Sequence, residues 1–228
     1  MLAVLYDVHG NLPALEAVLS DAGAAGAEEW LLGGDYSAFG AWPQETVERL
    51  RELPRATWLR GNWERWTADP AASPPDEVIR GALSAVRAAL PRTLVEELGT
   101  LPQHLLRGET AFCHGSPDSD VRSFDPERSE DDEELLRSVE QSRLVFGHTH
   151  LAFERRSTAG IQLVNPGSVG MPLDGDPRAA YALIHPDGRL ERRRAGYDRS
   201  SATAALRERH GAEGWAEVIA GRIERAGG

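Results

Sequence analysis

Three short apolar runs near the start of the chain each stop at a polar loop residue. Leu2–Tyr6 stops at Asp7, Glu29–Leu32 at Gly33-Gly34-Asp35, and Thr57–Leu59 at Arg60-Gly61-Asn62. Compact apolar runs bounded by turn residues read as buried strands. Between the first two, Leu12, Leu15, Val18, Leu19 and Ala22 recur at helical spacing. Between the second and third, Pro43 opens another helix, with Val47, Leu50 and Leu53 on one face. The resulting β-α-β-α-β order puts Asp7, Asp35 and Asn62 each just past a strand. In open α/β sheets, sites form at the carboxyl ends of strands.

The texture then changes. From Trp66 to Gly99, a loop-like "ADPAASPPDE" leads into an Ala/Leu/Arg-rich stretch, Asp76–Leu98, expected to be helical. Residues 66–99 thus read as a helical insertion over one edge of the site. Strands resume at Thr110–Cys113 and Leu144–Phe146, each ending in a histidine-bearing loop, "CHGSP" and "FGHTH". Gln162–Val164, Ala180–His185 and Arg189–Arg194 form a β-rich second half, and a helical tail is expected over 201–226. At 228 residues the whole, 1–228, fits one domain.

Charge and cysteine usage exclude several classes. A net charge of −11 repels polyanions, so neither broad nucleic-acid nor anionic-membrane binding is expected. The one cysteine, Cys113, allows no intramolecular disulfide and suits a reducing cytosol. The N-terminus has no basic leader and no apolar stretch approaches the roughly 20 residues of a membrane span. A cytoplasmic protein is expected.

The strand ends carry the chemistry: Asp7 and His9, Asp35, Asn62, His114, and His148 with His150. Singly these are weak signals, since Asp and Asn are ordinary turn residues. Jointly they place four of the seven histidines after strands, in glycine-flanked loops, beside two carboxylates and a carboxamide. Mixed imidazole and oxygen donors suit Mn, Fe, Co, Ni or Zn better than Mg or Ca. Seven ligands exceed one tetrahedral site; they suit two metals about 3.5–4 Å apart sharing a carboxylate. In an extended "GHTH", His148 and His150 would point the same way.

DVHGN, GGDY, RGNWE, CHG and GHTH, in this order and spacing, resemble the calcineurin-like metallophosphoesterases, whose pattern is D-x-H, G-D, G-N-H-[D/E], H and G-H-x-H. The resemblance runs from Leu2 to about Tyr181 and includes "VNPGSVG". It implies a four-layer α/β/β/α sandwich of two mixed β-sheets flanked by helices. It further implies that Asp7, His9, Asp35 and His150 hold one metal and that Asp35, Asn62, His114 and His148 hold the other, with Asp35 bridging. The cofactors implied are two divalent transition ions, Mn²⁺ first among Fe, Ni, Co and Zn. A metal-bridging hydroxide would then attack phosphorus in line. Asn62, His114 and Arg60 are the candidate catalytic residues. Arg60 is a candidate clamp for a phosphate oxygen because its planar fork matches that geometry. Asn11, closing DVHGN, and Trp63 join Arg60 as candidate substrate contacts.

Trp63 breaks the pattern, because the family usually has histidine there to contact phosphate and help protonate the leaving group. An indole N–H donates a hydrogen bond but is no acid in this pH range. General acid help is worth about 10²–10⁴-fold, so its loss favours small phosphodiesters over alkyl monoesters. Trp63 either offers a stacking face to a base or aryl group or packs under the helical insertion. The other enzyme readings are a phosphomonoesterase, a protein Ser/Thr phosphatase or a dinucleoside polyphosphate hydrolase. The reading from a different class is a non-catalytic scaffold on the same fold, against which the complete ligand set argues. The C-terminal helix is a candidate homo-oligomer surface. "SEDDEELL" reads as a helix start capped by Ser129, Arg189–Arg194 as a solvated strand face, and His104, His185 and His210 as structural or surface residues.

Overall fold

β1 (Leu2–Leu5) is buried along its whole length, and alternate residues pack into different cores. Leu2, Val4 and the following Tyr6 meet Leu31, Phe112, Val145 and Val164. Ala3 and Leu5 meet Leu15, Val18 and Leu50. A strand covered on both faces belongs inside a layered sandwich.

The computed structural model describes residues 1–211 and 213–228. One sheet runs β10 (Leu190–Ala195), β9 (Ala179–Ile184), β1, β2 (Glu29–Leu32), β3 (Ala56–Trp58). β1, β2 and β3 are parallel, with Leu5 opposite Leu32 and Leu32 opposite Trp58, while β9 and β10 run antiparallel. The other runs β4 (His104–Arg107), β5 (Thr110–Cys113), β6 (Arg143–Val145), β8 (Gln162–Asn165), β7 (Phe153–Arg156). There β5, β6 and β8 are parallel and the edge strands antiparallel. The sheets meet face to face. The outer face of the first is covered by α1 (Leu12–Ala24), α2 (Pro43–Arg51), α3 (Asn62–Ala68), α4 (Glu77–Ala89), α5 (Arg92–Gly99), α7 (Arg199–His210) and α8 (Gly214–Arg225). The second is covered thinly, by α6 (Asp132–Leu135) and loops that set Phe124, Leu135 and Leu136 on Leu144, Phe146 and Leu163. This is the four-layer arrangement of two mixed sheets expected from the sequence.

Several elements differ from expectation. Asp76–Leu98 is not one helix but two, because Leu90 precedes a proline and is extended (φ −91°, ψ 136°). Helix formation also starts earlier than Trp66, at Asn62. β4 and β7 carry too few apolar residues to announce themselves; their sheet neighbours hold them in place. α6 is a single turn with no side-chain cap: Ser129 Oγ lies 3.3 Å from Asp132, whose carboxylate pairs with Arg155 at 2.6 and 2.9 Å. The expected tail helix is two helices, and residue 212, which that expectation spans, lies outside the described residues. The 189–194 run is not simply solvated, since Arg193 pairs with Asp21 and Arg194 with Asp174. No helix among the described residues is long and apolar enough to cross a membrane.

Candidate metal centre

The loops leaving β1, β2, β3, β5 and β6 converge at one edge of the two sheets. They bring donor atoms into two groups, Asp7 with His9 and His150, and Asp35 with His114 and His148, each within 4.8 Å. Asn62, first residue of α3, adds Oδ1 at 3.0 Å from His114 Nε2 and 2.9 Å from His148 Nδ1. Asp35 Oδ2 lies 3.3 Å from His114 Nε2 and 3.9 Å from His9 Nε2, so it touches both groups. Asp7 Oδ1 also sits between them, 3.5 Å from His150 and 3.8 Å from His114.

The outer ring nitrogens identify what faces inward. His9 Nδ1 is 3.2 Å from Ala38 O, His114 Nδ1 is 3.0 Å from Gly33 O, and His150 Nδ1 is 2.8 Å from Met171 O. A carbonyl only accepts, so each Nδ1–H donates and each Nε2 turns into the site, a tautomer assigned from its partners. His9 and His150 in their neutral forms therefore aim two lone pairs at each other, 3.0 Å apart. Asp7 Oδ1 is buried beside them with no hydrogen-bond partner. Opposed lone pairs and an orphaned carboxylate oxygen are unfavourable until a cation lies among them. The nitrogen and oxygen donors fit divalent transition ions.

Backbone strain concentrates at the same place. Asp7 (φ 55°), His9 (51°), Asp35 (60°), His148 (68°) and His150 (59°) are all left-handed. Each costs about 1–2 kcal/mol for a residue with a Cβ, and such strain clusters at functional sites. The "GHTH" segment is therefore not extended, contrary to expectation. Its two histidines are turned separately, one into each group.

Glu64, which the sequence reading assigned no role, organises the loops. Its Oε2 accepts from the N–H groups of Asp35 and Gly61 at 2.9 Å, and its Oε1 from that of Tyr36 at 2.9 Å. A buried carboxylate three residues into a helix, reaching back to the residue before it, is half of a capping box, and that was its sequence signal. Gly61 is required here, because a Cβ would stand 2.2 Å from Asp35 Oδ1. Burial, reinforced by Asp35, pushes the Glu64 carboxyl up to about 7. Burial also pushes Asp7 up, but the His150, His114 and His9 rings outweigh it and hold Asp7 well below the usual carboxylate range. Burial, then the neighbouring His150, brings His9 down to about 4; burial, then His114, does the same to His148. Burial opposes the charged form of His114, yet Asp35 and Asp7 raise it to about 10.

A cleft of about 280 Å³ opens onto the donor groups and is lined by His9, Asp35, Asn62, His148 and His150. Trp63 lines it but is only 3 % exposed, edge-on to Phe39 at 4.5 Å and Trp66 at 5.4 Å. Its main-chain N–H donates to Asp35 Oδ1 at 3.0 Å. Two expected substrate contacts are placed elsewhere. The Arg60 guanidinium is not in the cleft; it donates to Gly99 O at 3.1 Å, where a cation suits the carboxyl end of α5. Asn11 caps α1 by accepting from Ala14 and donates to Gly170 O at 2.7 Å and Tyr197 Oη at 3.2 Å, leaving its amide occupied in joining loops.

The family description "Calcineurin-like phosphoesterase superfamily domain" matches residues 1–189. The chain belongs to that family. Among similar proteins, "Phosphodiesterase YfcE" of Escherichia coli K12 is 30 % identical over 192 residues, covering 79 % of this chain and 85 % of its own. The crystal structure of a metallophosphoesterase from Sphaerobacter thermophilus superposes with a TM-score of 0.83 at 28 % identity, covering 99 % of each chain. A hypothetical protein from Pyrococcus horikoshii shares the fold, with a TM-score of 0.84 at 21 % identity over 100 % of this chain and 99 % of that one. Membership makes this chain a phosphoester hydrolase of a metal-dependent family, and its two donor groups are where metals can be held.

Proposed function

We propose that this protein is a dinuclear metal-dependent phosphodiesterase acting on small organic phosphodiesters. The carrying observation is the pair of donor groups with a partnerless Asp7 oxygen and Asp35 Oδ2 lying between them. Divalent cations there would supply a nucleophile from water near neutral pH and offset charge on the phosphoryl oxygens. The chain's own part is orientation. Glu64 locks the Asp35 and Gly61 loops together, and three backbone carbonyls hold histidine rings with Nε2 inward.

The diester preference rests on what lines the cleft. Apart from the proposed ligands, its titratable side chains among the described residues are Asp76, which caps α4, and Arg222. Trp63 brings no acid. No spare imidazole stands ready to protonate an alkoxide, which disfavours alkyl monoesters and tolerates better leaving groups. A relative named as a phosphodiesterase supports the same reading.

The test is elemental analysis of the purified protein with hydrolysis of bis(4-nitrophenyl) phosphate and 4-nitrophenyl phosphate under added Mn²⁺. The expected result is about two metals per chain and kcat/KM at least about tenfold higher for the diester. A faster monoester would overturn the diester preference. Fewer than one metal per chain, with neither ester turned over, would overturn the enzyme reading.

A further inference from the structure

Among the arginines of the two C-terminal helices, Arg199 donates to Glu224 O at 3.0 Å and Arg225 is exposed. Arg207 pairs with Glu217 and Glu224, and Arg209 with Glu45. Arg222 is half-buried, and among the described residues no carboxylate pairs with its guanidinium. Arg60, Arg143 and Arg199 are also half-buried without a carboxylate, but each donates to a backbone or amide oxygen; among the described residues the Arg222 guanidinium has no such partner. It lines the same cleft as His9, Asn62, His148 and His150, and is the one lysine or arginine to do so among the described residues.

Its position is set by packing. On α8, Trp215, Ile219, Ala220 and Ile223 are buried, with Trp215 against Gly81 of α4. A short segment, residues 173–175, ties the end of α8 to the site: Leu173 N donates to His150 O at 3.2 Å, and Gly175 N to Ala226 O at 2.9 Å. Arg222 lies one turn before Ala226. Most of the remaining lining is apolar, including Trp63, Trp66, Ile79, Met171 and Leu173, and Asp76, also on the cleft, is engaged in capping α4. α8 also lies beyond residue 189, where the family match ends.

We propose that Arg222 is a specificity residue that binds a second anionic group of the substrate, separated from the scissile phosphate by an aromatic or apolar portion of one ester arm. The scissile phosphoryl group belongs with the donor groups onto which the cleft opens, and this assignment rests on the phosphodiesterase reading above. A planar guanidinium in a partly desolvated cleft suits a carboxylate or terminal phosphate, and the wall suits the ring or chain carrying it.

The test compares 4-nitrophenyl phenyl phosphate with 4-nitrophenyl 4-(carboxymethyl)phenyl phosphate, which share a leaving group and differ in one remote, charged carboxymethyl group. The Mn²⁺-loaded protein should favour the charged ester in kcat/KM by about tenfold, the worth of one charge-assisted hydrogen bond. In Arg222→Gln the ratio should fall close to one, and in Arg222→Lys it should be intermediate. Arg222→Glu should turn the preference toward the 4-(aminomethyl)phenyl ester. Binding of 4-(carboxymethyl)phenyl phosphate, followed by tryptophan fluorescence, should weaken in the Gln variant by a similar factor. An unchanged ratio in Arg222→Gln, or an equal loss on both esters, would overturn the proposal. If the wild type cleaves neither ester, the phosphodiesterase reading fails by itself. The fluorescence titration then decides Arg222, and equal binding by wild type and Arg222→Gln would overturn it.

Discussion

The two ends of the sandwich carry cavities of very different character. The larger, about 600 Å³, opens at the end away from the two donor groups, among Met1, Glu29, Arg107, Arg143, His185 and Gly188. Its arginines and histidine are answered: Arg107 pairs with Glu29 at 2.6 Å, Arg143 donates to Gln162 and Gly188, and His185 meets Glu191 at 3.0 Å. Among its described lining residues only a glycine, Gly188, is left-handed. The smaller cleft is lined by the opposed imidazoles of His9 and His150 and by four left-handed donor residues, and Asp7, left-handed and with an orphaned carboxylate oxygen, belongs to the same donor group as His9 and His150. Size does not distinguish a site from a dent. Unsatisfied donors held in costly backbone conformations do, because folding alone gives no reason to keep them.

Substitution at the two ends breaks or sharpens this contrast most directly. Asp35→Asn should lower kcat by more than about 10³-fold and reduce bound metal, because it removes a charged donor that lies 3.3 Å from His114 and 3.9 Å from His9. Arg107→Ala, at the other end, should stay within about twofold of wild type, since exposed ion pairs contribute little. Steady-state kinetics with elemental analysis checks both. Comparable losses at the two ends would erase the distinction.

Metal removal comes next in size. Chelation should lower Tm by about 5–10 °C relative to protein in Mn²⁺ at about a hundred times its Kd. Asp35→Asn should abolish most of that shift in a thermal melt, and Arg107→Ala should keep it.

Glycine scanning of the strain is subtler. In metal-free protein, His148→Gly should be more stable than His148→Ala by about 1 kcal/mol, because alanine must keep the left-handed φ of 68°. In β4 the order should reverse, with Arg107→Ala more stable than Arg107→Gly by a similar amount. Chemical denaturation of the four variants reads this out.

The smallest effect is protonic. In metal-free protein His9 and His148, lowered to about 4, contribute stability that is present above pH 6.5 and lost as pH falls toward 4. His114, raised to about 10, contributes stability present below pH 6.5 and lost as pH rises toward 10. At pH 7 His114 then carries a proton that metal must displace. Calorimetric titration with Mn²⁺ in two buffers of different ionisation enthalpy should show about one proton released per chain. No buffer dependence would contradict the His114 assignment.

Much of this molecule was legible in one dimension. Short apolar runs ending in Asp7, Asp35 and Asn62, and the histidines after β5 and β6, are local facts. Strand burial and loop position follow from local pattern and turn chemistry. The thin edge strands β4 and β7 were not legible, because their residues carry little apolar signal and neighbouring strands supply the pairing. Glu64 was read as part of a motif and not as the residue that joins two loops, since its partners Asp35 and Tyr36 are distant in the chain.

The sequence by itself determined the β-α-β-α-β order and the polar residues at the strand ends, because period, punctuation and residue chemistry are properties of the chain alone, and its motifs, through the family they resemble, implied the layered sandwich. Only the tertiary structure decided where long side chains spend their hydrogen bonds. It sent Arg60 to the end of α5, closed Asn11 into a loop junction, buried Trp63 against Phe39 and Trp66, and brought Arg222 from the last helix to the cleft. The physical reason is reach. A guanidinium or indole can lie several ångströms from its own backbone, so its partners are set by whichever elements pack beside it rather than by its neighbours in sequence.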